Sequence, residues 1–243
     1  MIGPRSLVFN LLFYLWTTLV LIACLPLVTL PPKYLFRAGR IWAEVNLAML
    51  RGICNLTHEV RGLENLPKGP CIVASKHQSA WDTLIFSTFI DGPAFILKRE
   101  LLKIPLFGRY VLAAGCIPID RSGGMTALRQ LIEHAKRTLA AGRQIVIFPE
   151  GTRTAPGTHC PYHPGTAALY AHVDAPVVPV ALNSGEFWGR RTFLKKPGRI
   201  VLEILPPIPP GMPRKAFAAL LEKQIETASD RLLEGPPPTP PET

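Results

Sequence analysis

Disulfide chemistry has little to work with in this chain. Its 243 residues hold five cysteines, Cys24, Cys54, Cys71, Cys116 and Cys160, an odd number, widely spaced and without a CxxC pair. That argues against a disulfide framework and a structural zinc site, and it suits a reducing compartment. Charge is sparse too. Only 18% of residues are charged and 48% are apolar, so the chain is not a disordered one. Acidic residues are the scarcer sign, 17 against 27 Lys and Arg, a net charge of +10. A basic surface favours anionic partners: lipid headgroups, phosphorylated substrates or nucleic acid. The last is the weakest, because no long basic run, zinc-finger spacing or RNA-binding aromatic signature accompanies the charge. No G-x-S-x-G surrounds any serine, so the mark of a serine lipase is missing. There are no internal repeats.

The apolar residues are unevenly placed. Residues 7–30, LVFNLLFYLWTTLVLIACLPLVTL, carry no charge, a length that can span a bilayer. Only Arg5 precedes the run and no A-x-A site follows, unlike a cleaved signal peptide. Pro26, Pro31 and Pro32 bend or end this helix, and Lys33, Arg37, Arg40 and Arg51 follow. Positive charge on that side predicts a cytoplasmic location for the rest of the chain, on the inner membrane. Residues 34–53 read as a second, amphipathic helix. A single span, a re-entrant hairpin and an interfacial pair are all compatible with this pattern.

Beyond a connecting stretch at 59–69, short apolar runs at 71–75, 94–98, 116–120, 144–148, 177–182 and 199–205 read as strands buried on both faces. Helical patterns lie at 82–90, 124–141 (Ser122 as N-cap, Gly142 as terminator), 166–172 and 213–233. The expected fold class is α/β, a largely parallel sheet sandwiched by helices and preceded by a hydrophobic two-helix membrane motif. The expected boundaries are 1–55 for the anchor, 56–234 for the α/β domain and 235–243 for a Pro-rich disordered tail.

Four blocks carry candidate chemistry. His77 and Asp82, five apart between a strand and a helix, can meet only if the chain turns between them; a carboxylate-held His can activate a hydroxyl. The hydroxyl belongs either to the enzyme or to a substrate, and Ser79 is the nearby serine to test. Lys98 and Arg99 end a strand, with Glu100, Leu101, Pro105 and Gly108 after them. Phe148-Pro149-Glu150-Gly151-Thr152-Arg153 combines close backbone approach at Gly151, a hydroxyl at Thr152 and a phosphate-matching fork at Arg153. Glu150 would repel phosphate, so it is expected to orient Arg153 or bind a neutral hydroxyl. Val178-Pro179-Val180 reads as core strand.

H-x4-D, K-x-E-L…P…G, FPEGTR and V-P-V, in this order over about residues 63–205, resemble the glycerolipid acyltransferase family, in its lysophosphatidic acid acyltransferase branch. The resemblance implies His77 as general base and Asp82 as its orienting partner, with no acyl-enzyme. It implies acceptor-phosphate contacts from Glu150, Gly151, Thr152 and Arg153, with Lys98 and Arg121 as further candidates. It implies no metal or cofactor, a lysophosphatidic acid acceptor, an acyl carrier protein or coenzyme A thioester as donor, membrane lipids as surroundings, and no nucleic acid. Lys76 stands where the family often has Asn, Trp81 replaces an aliphatic residue, and the F-K-x-G element reads Tyr162-His163-Pro164-Gly165. His159 and His163 read as loop residues rather than metal ligands. Other lyso-lipid acceptors, a lipid hydrolase and a non-catalytic membrane-binding protein are the competing readings.

Overall fold

The computed structural model describes residues 2–120 and 123–234. The Ser122 cap and the Pro-rich tail therefore lie outside the described residues. The chain opens with α1 (Ile2–Ala23) and, past a short 3-10 turn, α2 (Lys33–Cys54). Then follow β1 (Leu56–Arg61), β2 (Ile72–Ser75), α3 (Trp81–Phe89), β3 (Ala94–Lys98), α4 (Phe107–Ala113), β4 (Ile117–Ile119), α5 (Gly124–Ala140) and β5 (Ile145–Ile147). The last part is α6 (Pro164–Tyr170), β6 (Val177–Leu182), α7 (Ser184–Phe187), β7 (Gly198–Ile204) and α8 (Arg214–Leu233).

The seven strands form one sheet in the order β1-β7-β6-β2-β5-β3-β4. Every neighbouring pair is parallel except β6 and β7. The block β6-β2-β5-β3-β4 therefore shares one C-terminal edge, and the loops leaving it converge there. Alternate residues of each strand feed opposite faces. Val73, Val146, Val178 and Val180 pack with α2 and α3 on one side. Ile72, Ala74, Ile145 and Ile147 pack with α5, α6 and α8 on the other. Helices on both faces explain why these strands are apolar throughout.

The expected α/β sandwich is the observed one, and all six expected strands are present, with ends shifted by a residue or two. The 59–69 stretch needs correction: residues Leu56–Arg61 form the edge strand β1, in parallel register with β7. Its sequence, LTHEVR, is polar because one edge and part of one face meet solvent, so it lacks the continuous apolar run that marks a central strand. The short helices α4 and α7 also went unread, and α6 starts at Pro164, a favoured first-turn proline.

Helix α1 is long and apolar enough to cross a membrane. One face of it is nevertheless docked on the rest of the protein at three- and four-residue steps. Ser6 Oγ accepts the Lys195 amide at 2.9 Å, and Asn10 Oδ1 accepts from Lys195 Nζ at 2.7 Å. Phe9 is fully buried, edge-on to Trp188 at 5.6 Å. Thr17 Oγ1 accepts from Trp42 Nε1 at 3.0 Å, and the Leu21 carbonyl accepts from Tyr110. The opposite face, with Leu7, Leu11, Leu15, Leu19 and Ile22, is exposed. The two faces make separable predictions. Phe9→Ala is expected to cost roughly 3 kcal/mol or more of stability in detergent, read by thermal unfolding. The pair Leu11→Ala and Leu15→Ala should leave detergent stability within about 0.5 kcal/mol and weaken vesicle binding. Equal stability losses for both variants would contradict the two-faced assignment.

Candidate active site

Strand β2 ends at Ser75, and the next residues fold around one carboxylate. Asp82, in the first turn of α3, is fully buried. Its Oδ2 accepts the amide N–H groups of Gln78 and Ser79, each at 2.8 Å, and faces His77 Nδ1 at 2.9 Å. Its Oδ1 accepts from Ser184 Oγ at 2.5 Å. The turn between His77 and Asp82 thus exists because the Asp82 carboxylate satisfies the amides that the turn frees. Ser79 Oγ accepts the Trp81 amide at 3.1 Å and starts the helix. Ser79 is itself fully buried.

The carboxylate at Nδ1 fixes the proton there and leaves Nε2 as the acceptor nitrogen. Nε2 has no hydrogen-bond partner among the described residues. The imidazole stacks on Phe148 at 3.9 Å and 19°, and its side chain is 12% exposed. An oriented ring with one open acceptor nitrogen can take a proton from a hydroxyl brought to it.

Phe148 arrives on β5, directly beside β2. The loop after it turns at Gly151, whose φ of +67° is one that a side chain disfavours and whose amide donates to the Phe148 carbonyl at 2.9 Å. Glu150 pairs with Lys76, not with Arg153. Its Oε1 meets Lys76 Nζ and accepts from Thr154 Oγ1, both at 2.7 Å, and its Oε2 accepts the His77 amide at 2.8 Å. Burial pushes the Glu150 carboxyl pKa up, against the pull of Lys76, Thr154 and the His77 amide. Lys76 Nζ also reaches Glu226 of α8 at 2.7 Å. Burial alone would pull the Lys76 pKa down, but the two carboxylates outweigh it and leave the ammonium raised. Thr152 is exposed, and Arg153 is half-buried. Burial lowers the Arg153 pKa, while the nearby Asp82 charge supports the cation and Arg190 opposes it. Arg190 Nη1 donates to the Arg153 carbonyl at 3.4 Å.

Lys98 ends β3 at the same edge of the sheet but is exposed and paired with Glu100 at 3.1 Å. Arg121 lies outside the described residues. Of the expected site residues, the structure gathers His77, Asp82, Glu150, Gly151 and Arg153 around the ends of β2 and β5. Ser184, Arg190 and Glu226 were missed. Ser184 follows the V-P-V strand, where only packing was expected, although a polar Asn183-Ser184 directly after a buried strand at this edge was a signal. Arg190 stood in an Arg-Arg pair with no motif around it. His159 sits near Glu226 and Asp230, and His163 stands just before α6 without a side-chain capping bond.

Residues 57–183, over half of the chain, match the family described as Acyltransferase. The chain belongs to the acyltransferase family. It is 34% identical to a 1-acyl-sn-glycerol-3-phosphate acyltransferase of Pseudomonas aeruginosa over 95% of this chain and 91% of that one. It is 33% identical to the human 1-acyl-sn-glycerol-3-phosphate acyltransferase alpha over 62% of this chain, a stretch that spans 54% of the human protein. The fold matches the crystal structure of the 1-acyl-sn-glycerophosphate (LPA) acyltransferase PlsC from Thermotoga maritima, with a TM-score of 0.81 and 24% identity over 98% of this chain and all of that one.

In this acyltransferase the Ser184 hydroxyl is one of four donors on Asp82. Ser184→Ala is expected to lower kcat roughly tenfold, the loss of about 1.5 kcal/mol that one hydrogen bond to a charged group carries, with little change in KM. A kcat within twofold of the parent would remove Ser184 from the site.

Proposed function

We propose that this acyltransferase moves a fatty acyl group from an acyl thioester to the sn-2 hydroxyl of lysophosphatidic acid, making phosphatidic acid. The observation that carries the reading is the His77–Asp82 couple with Nε2 open and the half-buried Arg153 close enough to feel the Asp82 charge. In the proposed step, Nε2 takes the hydroxyl proton as the oxygen attacks the thioester carbonyl. The carbon–sulfur bond breaks as the tetrahedral intermediate collapses, and the imidazolium returns its proton to the thiolate. Asp82 stabilises the imidazolium. Neither Ser79 nor Ser184 suits a nucleophile, because the first hydroxyl is buried on the Trp81 amide and the second on Asp82. Direct transfer to the acceptor hydroxyl fits better than an acyl-enzyme.

Arg153, with Arg190 beside it and the Gly151 turn before it, is the proposed seat of the acceptor phosphate. Lys98 and Arg121 are proposed to contribute from the neighbouring loops. The donor is proposed to be an acyl carrier protein or coenzyme A thioester, with no metal or cofactor. The net charge of +10 suits either anionic donor. The relatives' names support a lysophosphatidate acceptor over another lyso-lipid.

The docked face of α1 favours a helix lying in one leaflet over a free-standing span. Its outer face would enter the lipid while Lys33, Arg37 and Arg40 of α2 meet headgroups. Those cations and the free cysteines favour the inner membrane, with the catalytic domain on its cytoplasmic side.

The test is acyl transfer by the purified protein to labelled lysophosphatidate. His77→Ala should lower kcat by about a thousandfold, within the span for loss of a general base. Arg153→Ala should raise the acceptor KM roughly tenfold or more and leave a zwitterionic lyso-lipid unaffected. Full activity in His77→Ala would sink the mechanism, and an unchanged KM in Arg153→Ala would sink the acceptor assignment.

A further inference from the structure

Lys76 and Tyr162, far apart in sequence, meet at one residue of the C-terminal helix. Lys76 Nζ donates to Glu226 Oε1 and Oε2 at 2.9 and 2.7 Å, and Tyr162 Oη donates to Glu226 Oε1 at 2.8 Å. Lys76 is 1% exposed and Glu226 6%. The ammonium is saturated: besides Glu226 and Glu150, the Thr158 carbonyl accepts from Lys76 Nζ at 3.2 Å. Glu150 in turn holds the His77 amide through Oε2 and Thr154 Oγ1 through Oε1. The Thr154 amide closes the circuit on the His77 carbonyl at 2.8 Å. Both peptide groups of the residue bearing the imidazole are thereby tied to a buried ion cluster whose far end is α8.

A buried ammonium with two carboxylates is costly to desolvate, and an apolar set of equal volume would often be more stable. What the ions supply is fixed direction. Each oxygen and each N–H in the circuit has a named partner, so a displacement of α8 at Glu226 is passed to the backbone of His77 rather than absorbed by loose packing. We infer that Glu226 is a positioning residue for the transfer reaction, acting through Lys76 and Glu150 to hold His77 at the reach and angle its proton transfer needs. Tyr162 holds the Glu226 carboxylate in place. Glu226 touches neither His77 nor Asp82; its effect is on orientation, and misplacement of a catalytic group by a fraction of an ångström is felt in kcat before it is felt in binding.

The inference rests on the proposed role of His77, so its experiment has an arm that needs no turnover. Glu226→Gln keeps the shape and removes the charge. It is expected to lower kcat about tenfold, with the lysophosphatidate KM within about twofold, and to speed amide hydrogen exchange in the peptide containing residues 76–80. Lys76→Met should do the same, and the double variant should be no worse than the worse single one, since the two act as one unit. Tyr162→Phe removes only the phenol from Glu226 and is expected to fold. It should give a smaller loss in kcat, about threefold, in the same direction. Unchanged exchange at 76–80 in folded Glu226→Gln would overturn the relay whatever the reaction. So would a kcat within twofold of the parent in both Glu226→Gln and Tyr162→Phe, or additive losses in the double variant. Absence of transfer by the unsubstituted protein, with the exchange change present, would instead overturn the function and leave the linkage standing.

Discussion

The Asp82 carboxylate is the constraint on which the site depends. It is fully buried, and a buried ion survives only where its oxygens are satisfied. Four donors do this: two backbone amides, an imidazole N–H and a serine hydroxyl. Three come from the loop between β2 and α3, and the fourth from Ser184 at the start of α7, just past β6. One charged group thus sets the path of the loop, the start of a helix, the tautomer of His77 and the seating of a second loop. The spacing of His77 and Asp82 follows from this. A continuous helix would point them apart, so the four residues between them must turn, and the carboxylate supplies the bonds for that turn.

Behind this first charge lies a second layer, the cluster of Lys76, Glu150 and Glu226. Its logic differs. Asp82 holds Nδ1, the nitrogen opposite the open one, whereas the Lys76 cluster grips the peptide groups that carry the ring. Phe148 adds a third restraint by stacking on the ring itself. The imidazole is therefore held at its face, at Nδ1 and at its backbone, with Nε2 the one polar position left for a substrate. Such a ring costs little reorganisation when it reacts, which is the general condition for efficient proton transfer.

The central strands and the His77–Asp82 and FPEGTR blocks were legible in the sequence, because both kinds of signal are local. Strands β2, β5 and β6 are short apolar runs covered on both faces, and the reactive groups sit one to seven residues beyond their ends. What escaped was non-local or polar. The edge strand β1 is mostly polar, with Thr57, His58 and Glu59 in a row, and hydrogen-bonds β7, about 140 residues away. Glu226 sits among charged residues of α8 and looks like any solvated position. Only the helix phase set by Phe217, Leu221, Ile225, Ala228 and Leu232 turns it inward. The expected pairing of Glu150 with Arg153 failed because Arg153 is its nearest cation in sequence, while its cation partner is Lys76, read only as an oddity. Pairings between motifs cannot be inferred from spacing within them.

The placement of α1 connects the fold to the proposed chemistry. Its inner face reaches the 187–195 segment through Phe9, Ser6 and Asn10, and that same segment carries Arg190 to the Arg153 carbonyl. A helix whose outer face sits in lipid would therefore bear, through one continuous loop, on the proposed phosphate seat. Lysophosphatidate is itself a membrane lipid, with its chain in the bilayer and its headgroup at the interface. For its sn-2 hydroxyl to reach Nε2, the depth of the protein in the leaflet must match the level of the headgroup. A loosely tethered span would leave that depth free to vary, whereas a helix docked along its length fixes it. If α1 lies in the leaflet as proposed, its docking would serve the positioning of the acceptor as much as anchorage, since the contacts that hold the helix would set the height at which the proposed seat meets the phosphate.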